Sequence, residues 1–271
     1  TATVESVALI TGSIMSKKLA TAPNGVVICV GSGTGAYMPT VDHARELAES
    51  MAEVAAGAGI PSVMLLTDLN AVLGTSVGSA VEMQETVDFL AGTYQDPRTK
   101  ELVIEVTVEM IRIAGLAPDL AAARALAEAR LADGSAADRF GRQIAALGGP
   151  ADFIARPEHY LPKAAVVAPC YPASPGYVAA MNAKGVGLAL IALGGGRKKP
   201  DDPIDLAVGF TAFCQIGDAV GPDRPLCVIH ARNAAEWEDA ASRVRAAITV
   251  ADTAPAPLGP IVIERIERAP A

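Results

Sequence analysis

The sequence has few of the features that mark several common protein classes. Its 22 lysines and arginines are outnumbered by 30 aspartates and glutamates, and this balance argues against a nucleic-acid-binding surface, which is normally basic. No window reaches the ~18 uninterrupted apolar residues that a transmembrane helix needs, and the start shows no basic region followed by an apolar one. We therefore expect a cytoplasmic protein that partners neither nucleic acid nor membrane.

Cysteine and histidine are too scattered to indicate a metal site. The four cysteines show no C-x-x-C pairing and each lies in an apolar run, so we expect buried free thiols at Cys29, Cys170, Cys214 and Cys227. The three histidines share no ligand spacing with one another or with a cysteine.

The sequence does have enough apolar residues, 51% of 271, to bury a large core in one or two domains. Its first half alternates predicted strands and helices, in the order strand Val26–Val30, helix Val41–Gly57, strand Ile60–Leu66 and helix Ala80–Leu90. This alternation is typical of α/β proteins with a largely parallel sheet. An alanine- and leucine-rich helical block follows over residues 96–147.

The last third has a different pattern. Four short β-prone runs are separated by loops, at Gly176–Ala180, Val186–Ala192, Ala207–Phe213 and Leu226–Ala231. A helix is predicted over Ala234–Ala251 and a final strand over Ile261–Ile263. This composition favours a compact α+β module.

The segment Thr1–Ala20 carries polar residues at helical spacing on a mostly apolar stretch. Ser13 and Lys17 are four residues apart, so on a helix their hydroxyl and ammonium groups lie on one face. By spacing alone, a solvated face is the commoner arrangement. The helical pattern opens without a preceding cap, and we expect that an upstream part of the protein is absent.

The glycine-rich loop Gly31–Gly35 has the small residues of a phosphate-binding turn. It has neither the lysine of a G-x-x-x-x-G-K-[ST] loop nor the spacing of a dinucleotide fingerprint, so a plain strand-to-helix turn is favoured. The basic cluster in GGGRKKPDDP is followed at once by Asp201 and Asp202, which indicates a solvated loop.

Several stretches together resemble one known family. In chain order they are ITGSIMSKKLA, GSGTGAYMPT, LLTDLNAVLGTSVGSAVEMQETV, GGGRKKPDDPIDLAVGF and PLCVIHA. They resemble the successive blocks of the thymidine phosphorylase and pyrimidine nucleoside phosphorylase family, from Thr1 to about Ile248. Order and spacing make this resemblance far more specific than any single motif.

The resemblance completes the prediction of the fold. We expect an α/β protein with a mixed, largely parallel sheet flanked by helices. One helix of a small all-α domain, residues 1–22, precedes the α/β domain of residues 23–165. An α+β C-terminal module of residues 166–271 follows it.

The resemblance also implies a reaction, the reversible phosphorolysis of thymidine to the free base and 2-deoxyribose 1-phosphate. The family's Ser and Lys that hydrogen-bond the pyrimidine base correspond to Ser13 and Lys17. The family's aromatic residue against the base corresponds to Tyr37, for which core packing is the alternative. The reaction uses phosphate as co-substrate and no organic cofactor, and family members are homodimers.

In some family members a potassium ion is held by two backbone carbonyls and a carboxylate. These ligands correspond to Leu73, Ser76 and Glu85. Such an all-oxygen set suits a hard cation. The alternative for Glu85 is an ordinary position on an exposed helix face.

Two departures from the family pattern bear on activity. Cys29 and Gly31 replace an acidic and a basic residue of the family's D-V-K-V-G-S-G-A-F block; the alternative is that the block's G-S-G aligns with Gly31–Gly33, which leaves a two-residue shift in the loop. In addition, the family's phosphate- and sugar-binding groups precede the block that matches Thr1, so the catalytic residues stay unassigned and we expect the chain alone to be inactive. The alternatives are a non-catalytic base-binding or assembly subunit and, among enzymes, a uridine-accepting or nucleotide phosphorylase.

Overall fold

A computed structural model describes residues 6–269 of the chain. It divides into two compact units, each built from separated segments. Unit 1 combines the chain up to Leu69 with Lys100–Ala129 and the part from Gly259 onward, and unit 2 combines Asn70–Thr99 with Arg130–Leu258. Residues 22 and 165 both lie inside these segments, and the assignment of the ranges 1–22, 23–165 and 166–271 to family domains stays a prediction.

Helices and strands alternate up to residue 91 of the described chain, helices alone follow up to residue 160, and strands and helices are interspersed after that. The helices are α1 (Val7–Ala20), α2 (Val41–Gly57), α3 (Ser79–Ala91), α4 (Pro97–Ile113), α5 (Leu120–Ala132), α6 (Ser135–Ala146), α7 (Pro157–Tyr160), α8 (Ala183–Leu193) and α9 (Ala234–Ala247). The strands are β1 (Val26–Ser32), β2 (Ser62–Asp68), β3 (Val166–Cys170), β4 (Gly176–Met181), β5 (Gly209–Thr211), β6 (Ala219–Val220), β7 (Cys227–Ala231), β8 (Ile248–Ala251) and β9 (Val262–Arg268). Among residues 6–269, no helix is both long and apolar enough to cross a membrane.

Unit 1 is built on a mixed sheet in the order β1-β2-β9. Strand β1 pairs with β2 in parallel, from Val26 opposite Ser62 to Ser32 opposite Asp68, and β9 pairs with β2 in antiparallel. The central strand β2 is buried over six of its seven residues, as its apolar run predicts. The predicted α/β class with a mixed sheet flanked by helices is confirmed.

Helix α1 is fixed to α2 by one face. Met15 is buried, and the Thr11 hydroxyl donates a hydrogen bond of 2.9 Å to the Ser50 hydroxyl of α2. The helix begins after Ser6, whose side chain accepts from the backbone N–H of Leu9 at 3.4 Å. The expectation that this helix lacks a cap is therefore wrong; residues 1–5 of the predicted helical segment lie outside the described residues.

Buried carboxylates join α4 to β9 within unit 1. Glu109 has only 2% of its side chain exposed, and its oxygens accept from Arg112 at 2.8 Å and from Arg265 of β9 at 3.1 Å. Glu105, one turn earlier, pairs with both Arg265 and Arg124. Arg265 therefore bridges two nearly buried acids, which ties the last strand to the helix.

Unit 2 contains two small antiparallel sheets, in the orders β3-β7-β5 and β6-β4-β8. Helices α8 and α9 pack on each other, and the core of the unit includes Phe210 and Phe213 with their rings 6.1 Å apart. Trp237 of α9 is anchored by a hydrogen bond of 3.1 Å from its indole N–H to the carbonyl of Ala168 in β3. The predicted α+β character of this part follows from these antiparallel sheets and their helices.

Three sequence-based element predictions in the last third need correction. The run Val186–Ala192 is helical and not a strand, because Asn182 caps the start of α8 and Gly194, at φ 100°, ends it. The helix predicted over Ala234–Ala251 ends at Ala247, where the β-branched residues of β8 begin. The final strand continues well past Ile263, to Arg268, where it pairs with Ser62 of β2; exposure alternates along most of it, although the residue types do not.

The prediction of four buried thiols is confirmed for three of them. Cys170, Cys214 and Cys227 are buried in the core of unit 2. The prediction is wrong for Cys29, which is exposed. Cys29 lies on an outer strand, and alternation along that strand points it away from the face that buries Val30.

Candidate functional site

The predicted base-binding pair lies on the exposed face of α1. Ser13 and Lys17 are each two positions beyond a buried residue, Thr11 and Met15 respectively. Two positions correspond to about 200° around a helix, so the buried and exposed pairs occupy opposite faces. The contact of α1 with α2 therefore determines that Ser13 and Lys17 face outward.

Ser13 and Lys17 are also in direct contact. The Lys17 ammonium donates to the Ser13 hydroxyl at 3.4 Å, although both side chains are exposed. This leaves the remaining N–H donors of Lys17 and the O–H of Ser13 available to acceptors on a ligand. Lys17 and Lys18 also lie in the last turn of α1, where positive charge is favourable to the helix dipole.

Tyr37 follows β1 in the loop that leads to α2. Its side chain is 76% exposed, so the alternative that it packs in a core is excluded. The described contacts do not join it to Ser13 or Lys17, and its placement against a base stays a prediction.

The glycine-rich loop after β1 uses its own backbone donors internally. The N–H of Gly35 donates to the carbonyl of Leu69 at 2.9 Å, and that of Ala36 donates to Gly33 at 3.1 Å. These donors are consequently not directed at an anion, which supports the plain-turn interpretation over a phosphate loop.

Gly31, near the end of β1, is packed closely against the side chain of Leu69. A Cβ atom at this position would lie 2.2 Å from Cδ1 and 2.9 Å from Cγ of Leu69. The Leu69 side chain therefore fills the space that a side chain at position 31 would need, and position 31 is where the family pattern has a basic residue.

Of the three predicted potassium ligands, Glu85 contacts the loop before α3 that also carries Leu73 and Ser76, all in unit 2. Glu85 of α3 reaches back to the loop before the helix, where its Oε1 accepts from the Thr75 backbone N–H at 2.7 Å and from the Thr75 hydroxyl at 3.0 Å. A Cβ on Gly74 would lie 2.8 Å from the same oxygen, so only glycine lets the carboxylate approach this closely. Glu85 is therefore held by the loop and is not a free residue on a helix face.

The carbonyl groups of this loop divide into two sets. The Gly74 carbonyl accepts from the Gln215 side-chain amide at 2.8 Å, and the Thr75 carbonyl accepts from the Phe213 N–H at 3.0 Å. Within the described chain, no hydrogen bond uses the carbonyl of Leu73 or of Ser76. The two carbonyls that the resemblance assigns to the cation are therefore not occupied by hydrogen bonds from the described residues.

A cavity of about 600 Å³ opens beside this loop. Its lining includes Glu85, Tyr94, Arg224 and His230. Burial raises the pKa of Tyr94, and Asp96 acts in the same direction. Burial lowers the pKa of His230, so its ring is neutral at pH 7, where Nε2 lies 2.9 Å from the Thr211 hydroxyl.

Sequence reasoning missed the residues that organise this loop. Thr75 and Gln215 determine which oxygens are occupied, yet Gln215 is 141 positions from Gly74 and nothing in its local sequence marks it. In the part of the chain that is described, no group of three or more His, Cys, Asp or Glu could hold a metal ion.

Two protein-family models match parts of the chain. Residues 1–137, half of the chain, match the a/b domain of the glycosyl transferase family, and residues 177–251 match the pyrimidine nucleoside phosphorylase C-terminal domain. The chain belongs to the pyrimidine nucleoside phosphorylase family. Members of this family are pentosyltransferase-type enzymes. Membership of the family implies that the substrates are a nucleoside and phosphate.

Proposed function

We propose that this chain binds the leaving base in the phosphorolysis of pyrimidine deoxyribonucleosides, with thymidine as the preferred substrate. Ser13 and Lys17 are the residues to which we assign this role. The observation that supports it most is the Lys17–Ser13 contact on a face of α1 whose direction is determined by the buried Thr11 and Met15.

The chemistry of the pair suits a leaving pyrimidine. Negative charge develops on the base as its bond to C1′ of the sugar breaks. An ammonium group and a hydroxyl directed at that charge stabilise the transition state more than the ground state. Because both side chains are exposed here, the gain is largest when the bound nucleoside displaces water from them.

Replacement of Lys17 tests this assignment. We expect Lys17→Ala to lower the affinity for thymine at least about tenfold, because a charge-assisted hydrogen bond contributes roughly 1.5–3 kcal/mol. Titration calorimetry with thymine measures the change. The matched control is Lys18→Ala, which removes a neighbouring exposed lysine from the same helical turn and should leave the affinity unchanged. Equal affinities of the Lys17→Ala and unchanged proteins would show that the base binds elsewhere.

A second candidate is a non-catalytic base-binding subunit. It is favoured by the exposed Cys29 and by the packing of Leu69 over Gly31, at the two positions where the family has charged residues. An assay of base release from thymidine, uridine and a pyrimidine nucleotide in the presence of phosphate tests both candidates. Turnover supports an enzyme, ranks its substrates and overturns the expected inactivity of the chain alone, whereas binding of the base without turnover is the result expected of the chain alone in either case.

We also propose that Leu73, Ser76 and Glu85 hold a potassium ion. The donor set fits, since it offers two available carbonyl oxygens and the second oxygen of a carboxylate that Thr75 keeps in place. When bound, the cation would neutralise Glu85 and join α3 to the preceding loop.

Thermal unfolding tests the potassium proposal. We expect a higher midpoint in potassium chloride than in lithium chloride of equal ionic strength, because an ion that binds only the folded state stabilises it. Glu85→Gln should remove this difference, since the amide keeps the size of the side chain and loses its charge. A midpoint that is independent of the cation in the unchanged protein would contradict the proposal.

A further inference from the structure

Two buried thiols of unit 2 are direct neighbours across a sheet. Cys170 is the last residue of β3 and Cys227 is the first residue of β7, and the antiparallel register places them opposite each other. Residues paired in this way project from the same face of a sheet, with Cα atoms about 4.5–5.5 Å apart. A disulfide requires about 4.4–6.8 Å between Cα atoms. The two strands therefore hold these cysteines at a separation that a disulfide can bridge.

The thiols themselves form a short hydrogen-bonded chain. The Cys170 thiol lies 3.8 Å from the carbonyl of Ala241, to which it donates, and its sulfur accepts from the Cys227 thiol. The hydrogen bond from Cys227 lowers the pKa of Cys170, and the charge of Arg245 acts in the same direction. Donation to Cys170, together with burial, raises the pKa of Cys227. Cys170 is consequently the member of the pair that ionises first and acts as the nucleophile.

The position of the pair gives small reagents a route to it. Both side chains are fully buried, but they lie at the end of the β3–β7 ladder, and ladder ends open at a lower free energy than ladder centres. A groove of about 280 Å³ next to this end is lined by Pro172, Leu226 and Arg245. Two of these residues are near neighbours of the cysteines in the chain, so opening of the ladder end exposes the thiols to the groove.

We propose that Cys170 and Cys227 form a reversible redox site that small disulfide molecules oxidise to a protein disulfide. The Cys170 thiolate attacks one sulfur of the small disulfide, whose S–S bond breaks and releases one thiol. Cys227 then loses its proton, attacks the sulfur of Cys170 in the mixed disulfide and displaces the second thiol. The protein pair loses two electrons and two protons, and the small disulfide is reduced to two thiols.

Cys214 is a matched comparison in the same core. It is also buried, and its burial raises its pKa to about 12. Cys214 lies outside the strands β1 to β9, so no cysteine is paired with it across a sheet. A thiol in this environment is a poor nucleophile and is expected to remain reduced.

The test uses oxidised glutathione on the Cys29→Ser protein, in which the exposed thiol is removed. After exposure and alkylation of the remaining thiols, we expect the intact mass to show one alkylated cysteine and the loss of two hydrogen atoms. Peptide mapping should find Cys170 joined to Cys227, and reduction should restore three alkylatable thiols. These measurements require no change in the core, so they do not depend on how well a core variant folds.

Two further variants identify the roles within the pair. Adding Cys227→Ser should stop the reaction at a mixed disulfide, with one glutathionyl group on Cys170, whereas adding Cys214→Ser should leave the bridge unchanged. The proposal is overturned if the bridge includes Cys214, or if all three thiols remain alkylatable after prolonged exposure to oxidised glutathione.

Discussion

Replacement of Gly78 by alanine is expected to destabilise unit 2 by about 3 kcal/mol. Gly78 precedes α3 at φ 134° and ψ 151°, a conformation that is nearly restricted to glycine. A Cβ there would lie 2.6 Å from the carbonyl oxygen of Val208 and 2.9 Å from the Cα of Gly209. Both obstacles are backbone atoms, so a side-chain rotation cannot relieve the clash.

The surrounding hydrogen bonds prevent the backbone from moving away. Val77 and Phe210 exchange two backbone hydrogen bonds, of 2.9 Å and 2.8 Å, directly beside the contact. The N–H of Gly78 also donates to Glu82 at 3.1 Å, which closes the first turn of α3. Relief of the clash would break these bonds, and their loss adds to the backbone strain.

Urea unfolding followed by circular dichroism measures this effect. Gly92→Ala is the matched control, because Gly92 also has a positive φ, 74°, but a Cβ added there would meet no atom within 4 Å. We expect a cost of about 1 kcal/mol for Gly92→Ala, from backbone conformation alone. Equal losses in the two variants would show that the close approach at Gly78 contributes nothing.

Removal of the Arg265 charge is the second change with a large expected effect. Arg265→Met keeps much of the side-chain volume but leaves Glu105 and Glu109, both nearly buried, with one fewer cationic partner each. Loss of one partner from a buried ion pair typically costs about 3–5 kcal/mol, because the remaining charge is not solvated. Arg124 and Arg112 still pair with the two acids, so we expect a loss at the lower end, about 3 kcal/mol, in unit 1.

Arg268→Met provides the control on the same strand. Arg268 is about as exposed as Arg265, 44% against 42%, but its partner Glu53, at 2.9 Å, is 66% exposed, so removal of Arg268 should cost less than about 1 kcal/mol. Adding Glu105→Gln to Arg265→Met should recover part of the loss, because it removes the charge of one of the two acids that have lost a partner. Similar free energies of unfolding for the Arg265→Met and Arg268→Met proteins would contradict the role given to the buried acids.

The sequence predicts the elements whose pattern is local. The alternation of strands and helices predicts β1, α2 and β2, and the predicted boundaries differ from the observed ones by about two residues at most. The spacing of Ser13 and Lys17 correctly places the two residues on one face of α1. The prediction of a strand at Val186–Ala192 fails because a short apolar run is compatible with either a buried strand or a buried helix. The cap at Asn182 is the local signal that could have decided between them.

Features that depend on distant parts of the chain are not predictable in this way. Gln215 acts on Gly74 across 141 positions, and Cys170 meets Cys227 only through the register of β3 and β7. Likewise, the exposure of Cys29 follows from the position of β1 at the outside of its sheet, which no residue of the strand itself specifies. The spacing of residues predicts which of them share a face of a helix or strand. The tertiary fold determines which other residues that face contacts.

The two outer strands of the unit 1 sheet differ in one further respect. Strand β9 carries four charged residues in seven, Glu264, Arg265, Glu267 and Arg268, whereas β1 carries none. Charged residues on an outer strand disfavour the addition of another strand beside it, because they would lose their solvent. Growth of this sheet by strand addition is therefore directional: it can be extended past β1 and is blocked at β9.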